Sequence, residues 1–299
     1  MIAKRQPARL RLRRKLAPLA DRYSLRRALT LSITFGILYA VPLSGLIRFD
    51  AYDGNHSVLF EPTSAVRALS AVVVGFLVLV IATFAFNVVG GRLFCGWGCP
   101  AAQISRFCED VESAQTRGTQ RVRSILNGGL FGAALSVSLM LWWTSPRVFV
   151  GGDLVPTTIA MATLLLLVGL SFVHGRIWRW DFCRKACPIG LYYSVVSPST
   201  SYGIVFERDA ATCIDCNACT AICPVDLQPR ELELPLHDIG GLALGGLPSD
   251  NHCIRCGDCV TICEFILRDR PRQEVPIHFG IGVKGRPLRP RKENYEPTR

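Results

Sequence analysis

The sequence predicts a membrane protein: four transmembrane α-helices in two repeated hairpins, followed by a small α+β domain rich in cysteine. Three observations carry this. Four apolar runs without a charged side chain lie within the first 173 residues, a short motif C-x3-C-P occurs twice at a spacing of 88 residues, and two longer cysteine runs follow the last apolar stretch. Composition agrees, since 49% apolar residues and a mean hydropathy of +0.29 are too oily for an ordinary soluble chain.

Residues 1–27 form a basic tail holding ten Lys and Arg residues, a large part of the net charge of +11. Such a run directly before a membrane helix lies on anionic lipid and sets topology, so nucleic acid is not expected as a partner. A cleavable leader is not expected either, because the apolar run that follows is long and has no A-x-A-like end. The four spans are Ala28 to Ile47, Ala68 to Val89, Ile125 to Trp143 and Leu154 to Val173. Each matches the length of about 20 helical residues that crosses a bilayer core. Pro42 is expected to kink the first, which membrane helices tolerate.

Lys and Arg outside the spans fix direction. Two follow in the first loop, five in the second, one in the third and sixteen after the last span. By the positive-inside rule both termini and the loop from Gly90 to Ser124 face the cytoplasm of a bacterial inner membrane. Trp142, Trp143, Trp178 and Trp180 stand where interface anchors would. The expected domains are thus the tail 1–27, a membrane domain 28–178, a cytoplasmic region 179–270 and a basic, Pro-containing, poorly ordered tail 271–299.

Thirteen cysteines exceed any packing need. Cys213, Cys216, Cys219 and Cys223 precede Pro224 at the spacing C-x2-C-x2-C-x3-C-P, and Cys253, Cys256, Cys259 and Cys263 repeat the run. That is the bacterial two-cluster 4Fe-4S ferredoxin pattern, in which the fourth cysteine of each run reaches the other cluster. One cluster is therefore assigned Cys213, Cys216, Cys219 and Cys263, and the other Cys253, Cys256, Cys259 and Cys223. Zinc ribbons separate two C-x2-C pairs by a long loop, and a reducing cytoplasm disfavours disulfides. The second run has Glu264 where the first has Pro224, and glycines between residues 223 and 253 mark a loop inserted between the halves.

The shorter motifs are FCGWGCP, with Cys95 and Cys99, and FCRKACP, with Cys183 and Cys187. Each follows the second helix of a hairpin. A parallel repeat about an axis along the membrane normal brings both to the same rim, where four thiols meet as a third metal centre, a dithiol couple, or a contact with quinone or protein. Cys108 has no such context and is read as a small hydrophobe. None of the five histidines lies in a span, so haem b is not expected. His174, at the end of the fourth span, is a weak candidate for taking a proton near neutral pH, and is read first as an interfacial residue.

Four spans, CGWGCP and CRKACP at one rim, then CIDCNACTAICP and CIRCGDCVTIC resemble the NapH-type membrane ferredoxins, which include the MauN proteins of methylamine utilisation. The resemblance covers roughly residues 25 to 270. It implies a quinol dehydrogenase component that takes electrons from membrane quinol and passes them, through an iron-sulfur or cytochrome partner, toward a periplasmic enzyme of nitrate-reductase or methylamine-utilisation type. Related NosR and CcoG proteins carry large extra domains; the first outer loop of about twenty residues has no room for a NosR-like flavin domain, and no Ig-like tail is expected after the last cluster motif. A membrane-bound assembly or maturation factor that reduces a metal or thiol for a partner enzyme is the alternative expectation.

Overall fold

The computed structural model describes residues 23–51, 54–113, 118–150, 153–196, 202–207, 213–232, 249–268 and 275–281. Most of the expected basic tail, the glycine-rich insertion at 233–248 and residues 282–299 lie outside the described residues.

Helix α1 runs Ser24–Ser44, so the last residues assigned to the basic tail already belong to it. It stops short of the expected Ile47 because Gly45 turns left-handed at φ 81° and returns its amide to the Pro42 carbonyl, a helix stop that glycine makes at low cost. Ile47 instead opens a small antiparallel meander of β1 (Ile47–Arg48), β2 (Ser57–Val58) and β3 (Glu61–Pro62) in the order β1-β2-β3. Strands of two residues are too short to show alternation in a sequence.

Helix α2 (Ala65–Gly90) is apolar on every side. Val73, Val74, Phe76, Leu77, Val78, Leu79 and Ile81 are each more than half exposed. Water does not tolerate such a surface and lipid does. After α3 (Leu93–Trp97) and the amphipathic α4 (Pro100–Ser113) comes α5 (Gly118–Met140), which begins before and ends before the expected span. The short α6 (Arg147–Val150) leads to α7 (Leu154–Val173). Among the described residues three helices are long and apolar enough to cross a membrane, within α1, α2 and α7, while the apolar part of α5, Ile125–Met140, is shorter than the expected third span.

The helices pack through small and hydroxyl residues, the usual device where lipid supplies no hydrophobic drive between helices. Tyr39 donates to the Ala134 carbonyl, joining α1 to α5, and Trp142 Nε1, in the turn after α5, donates to that of Leu38 at 3.1 Å. Ser136 and Ser171 join α5 to α7. At the end of the bundle that carries the meander, the Ala51 amide bonds to the Trp143 carbonyl at 3.0 Å. At the opposite end α7 passes into a π-helical turn, His174–Trp178, then α8 (Arg179–Lys185) and α9 (Pro188–Val196).

The cysteine-rich unit sits at that second end. Strands β4 (Gly203–Phe206) and β5 (Ile277–Gly280) pair antiparallel, Gly203 opposite Gly280, beside α10 (Ala218–Ile222) and α11 (Asp258–Leu267). Its core is continuous with the membrane-side motifs: Cys183, Ile204, Ile222, Ile254 and Val260 are buried together, with Cys95 and Cys99 packed against them. Trp180, expected at the lipid interface, is only 1% exposed within this same core. Trp143 and Trp178 remain about half exposed.

Candidate metal centres

Two loops with one backbone shape build the main sites. In Cys213–Cys219 the left-handed residues are Asp215 and Asn217, and in Cys253–Cys259 they are Arg255 and Gly257, the same two positions of each run. Left-handed turns at alternate residues curl a chain round a centre and bring amides inward. Each loop then enters a helix, α10 or α11, that carries the third cysteine; α11 also carries Cys263, whereas Cys223 stands in extended backbone just after α10.

The fourth cysteines cross over. Cys213, Cys216, Cys219 and Cys263 line one cavity of about 390 Å³, counting its open mouth. Cys253, Cys256, Cys259 and Cys223 line a second, of about 350 Å³. The Arg255 amide donates to the Cys253 sulfur at 3.4 Å and the Leu227 amide to the Cys223 sulfur at 3.3 Å. Arg230 reaches Cys213 and also pairs with Asp215 and Asn217. Burial pushes the Cys253 thiol up to about 12, with Asp250 and Cys223 adding to it. Burial likewise raises Cys263 to about 12, followed by the sulfurs of Cys219, Cys216 and Cys213. Thiolates in so dry a place need compensating positive charge, which a metal supplies.

Among the described residues no three His, Cys, Asp or Glu side chains gather closely enough to share one metal ion. A cubane takes each thiolate on a different iron, so its ligands stand further apart than those of a zinc ion. Cavities, amide donors and donor chemistry at both quartets fit 4Fe-4S clusters.

The two sites differ in access. Cys216 and Ile214 are exposed at the first loop, while Cys223, Cys256 and Cys259 are buried at the second. The second loop is seated on the membrane domain. Trp97 Nε1 donates to the Arg255 carbonyl at 2.9 Å, and Arg92 to the His252 carbonyl at 3.3 Å. Arg27, from the start of α1, donates to the Cys256 carbonyl at 3.2 Å and pairs with Asp258 at 2.6 Å. Arg106 of α4 holds the other Asp258 oxygen at 2.9 Å. Burial alone would raise that carboxyl, but the Arg106 and Arg27 guanidiniums outweigh it and hold it below the usual range. Arg27, Arg92, Arg106 and Asp258 carry no sequence signal, since their partners lie 152 to 231 residues away in three of these contacts.

The other expected site residues lie beside this seat. Cys95, Cys99, Cys183 and Cys187 are mutual neighbours: the sulfurs of Cys95 and Cys187 act on Cys99, and all three others act on Cys183. His174, expected at the interface, is 9% exposed instead, its Nε2 against the Ala101 carbonyl at 3.1 Å and its ring edge-on to Phe182. Cys108 packs its sulfur where side chains on Gly128 or Gly175 would have to go.

Two family models described as 4Fe-4S binding domains match the chain, one over residues 72–107 and 156–199, the other over 210–226 and 250–266. The chain is 28% identical over 227 residues to the ferredoxin-type protein NapH of Haemophilus influenzae, covering 74% of this chain and 76% of that protein. It is also 28% identical to NapH of Escherichia coli, covering 62% and 63%. With the methylamine utilization ferredoxin-type protein MauN of Methylorubrum extorquens it shares 28% identity over 67% of this chain and 74% of the relative. No solved structure matches.

Proposed function

We propose, from a chain that matches the NapH/MauN type of ferredoxin-type protein, that it is an electron-transfer component anchored in a bacterial inner membrane, with both termini cytoplasmic, that draws on membrane quinol. The reading includes four spans in two repeated hairpins, α5 being the third, and an α+β two-cluster domain with Cys213, Cys216, Cys219 and Cys263 at one cluster and Cys253, Cys256, Cys259 and Cys223 at the other. Its electrons go toward an iron-sulfur or cytochrome partner of a periplasmic enzyme, of nitrate-reductase or methylamine-utilisation type.

The carrying observation is that two cysteine quartets line separate cavities and that one quartet is seated on the membrane domain. Bound there, the clusters supply the one-electron acceptors that a two-electron donor such as quinol requires. The residues do the rest. Arg27 and Arg106 clamp Asp258 and so orient the Cys253 loop against the bilayer end of the bundle. The exposed Cys216 face is left for a soluble or membrane partner.

The test is anaerobic addition of a short-chain quinol to the protein in lipid nanodiscs, followed by electron paramagnetic resonance. Reduced-cluster signals should appear with quinol and be lost in a Cys256→Ala variant for one of the two. A protein that carries both clusters and stays oxidised under excess quinol would leave the quinol reading without support.

A further inference from the structure

The four cysteines of the C-x3-C-P motifs form a built site of their own. The two motifs repeat one local geometry. The amides of Cys99 and Cys187 both bond to the carbonyl of the phenylalanine five residues earlier, Phe94 at 3.0 Å and Phe182 at 2.8 Å. In each, the second cysteine then stands directly before a proline that opens a helix, α4 or α9. The Cys99 sulfur takes the amides of Ala102 and Ala101, and the Cys187 sulfur that of Gly190 at 3.5 Å. Both cysteines therefore stand at the N-cap positions of the helices they precede, with helix amides turned toward their sulfurs.

A second observation is independent of the sulfurs. Three residues before Cys95 stands Arg92, and three before Cys183 stands Trp180. These repeat-related side chains are 2% and 1% exposed. Each keeps one buried N–H without a partner, Nε of Arg92 and Nε1 of Trp180. Arg92 also reaches the Cys95 sulfur and the Cys183 carbonyl, the latter at 2.7 Å. Among the ion pairs of the described residues, none gives Arg92 a carboxylate. An uncompensated guanidinium this deeply buried is costly, and an anionic centre at the four sulfurs removes that cost. Among the described residues no three such side chains gather closely enough to share one ion, at these four sulfurs as at the two ferredoxin quartets.

We propose that Cys95, Cys99, Cys183 and Cys187 together hold a third 4Fe-4S cluster between the bilayer and the Cys253 loop, with Arg92 and Trp180 as the N–H donors that set its potential. This rests on the electron-transfer reading above and places its membrane-side station. A cluster held there would accept the two electrons of a quinol one at a time and hand each to the Cys253 site, the quinol leaving as quinone and its two protons passing to water at the membrane face. Gly96, inside the first motif, touches the Ile254 carbonyl and Cys256 backbone so closely that no side chain fits between, so the two sites share a wall.

Iron counting in anaerobically purified full-length protein tests it. Wild type should hold about twelve irons per chain and the double variant Cys95→Ser/Cys183→Ser about eight, with both ferredoxin resonance signals kept. About eight irons in both proteins, or loss of one zinc and no iron in the variant, overturns the third cluster and leaves the quinol reading standing. Wild type lacking both ferredoxin signals overturns that earlier reading instead. Trp180→Phe, which keeps every thiol, should leave about twelve irons and lower the midpoint potential of one of three signals, because an N–H to sulfur favours the reduced form. Three unchanged potentials would remove Trp180 from its role.

Discussion

Gly96→Ala probes the wall between the membrane-side motif and the Cys253 loop. A Cβ at Gly96 would stand 2.3 Å from the Ile254 carbonyl oxygen, 3.0 Å from Cys256 Cα and 3.1 Å from its amide nitrogen. All three are backbone atoms, so no rotamer change relieves the clash. Carbon-to-oxygen contacts rarely close below about 3.3 Å, and the two backbones must part by about 1 Å. Overpacking of this kind costs about 1–3 kcal/mol, which weakens the seated state by about 5- to 150-fold. Hydrogen exchange in nanodiscs reads it directly: amides of residues 249–268 should exchange faster by that factor, while those of α1 and α5 keep their rates. Gly36→Ala is the control, because nothing lies within 4 Å of a Cβ there. Unchanged exchange at 249–268 in Gly96→Ala would refute the claim that this loop is held by direct backbone contact.

Asp258→Ala removes the carboxylate shared by Arg27 and Arg106 and leaves Arg27 buried without its anion, a loss of about 3–5 kcal/mol. The midpoint of thermal bleaching of cluster absorbance should fall, and should fall less for Arg106→Ala, whose side chain is 24% exposed against 8% for Arg27. Cys256→Ala should remove about four irons and one ferredoxin signal, and full iron content would contradict its place as a ligand. Under mild ferricyanide oxidation, the signal that Cys216→Ala abolishes should bleach before the one that Cys256→Ala abolishes, since Cys216 is exposed and Cys256 buried; the reverse order would reverse the docking. Gly175→Ala places a Cβ 2.7 Å from the Cys108 sulfur and from Ile104. It should destabilise by about 1–3 kcal/mol, be partly rescued by Cys108→Ala, and show additivity only if those atoms do not touch.

Three of the four expected spans, in α1, α2 and α7, and the 4Fe-4S cysteine runs were legible because their signals are local. A charge-free run of membrane length needs no partner to be recognised, and α7 spans the expected Leu154–Val173. Ends were less legible. The Gly45 stop, the two-residue strands and the early start of α5 depend on turns and on what the chain meets next. Trp180 and His174 misled for a common reason: their positions just after a span suggested an interface, whereas a second layer of protein covers that end of the bundle and buries both. The clamp of Arg27 and Arg106 on Asp258 was invisible because arginines near a membrane have a sufficient explanation in topology, and only the fold reveals a second use.

Both repeats of the chain keep their backbone and change their side chains, and the changes decide which copy faces what. At the ferredoxin loops Asp215 is answered by Arg255 and Asn217 by Gly257. Asp215 is an exposed partner of Arg230, whereas Arg255 is buried, bonded to the Tyr202 carbonyl and Asp250. Gly257, at φ 83°, has Tyr23 and Phe279 pressed to within 2.9 Å of where a Cβ would be, so any side chain there would both strain the turn and push away the residue preceding α1. Asn217 tolerates the same left-handed turn because it is exposed, with the Arg230 guanidinium against its side-chain oxygen, and Asn is among the few residues that visit it. One loop is thus shaped to be covered and the other to stay accessible, which gives the duplicated unit one side packed on the helical bundle and one exposed side. Asn217→Gly, which loses the bond to Arg230, should therefore leave exchange across residues 249–268 unchanged, and Gly257→Asn should unseat the unit and speed it. Equal effects from the two exchanges would mean that the asymmetry does not come from these loops.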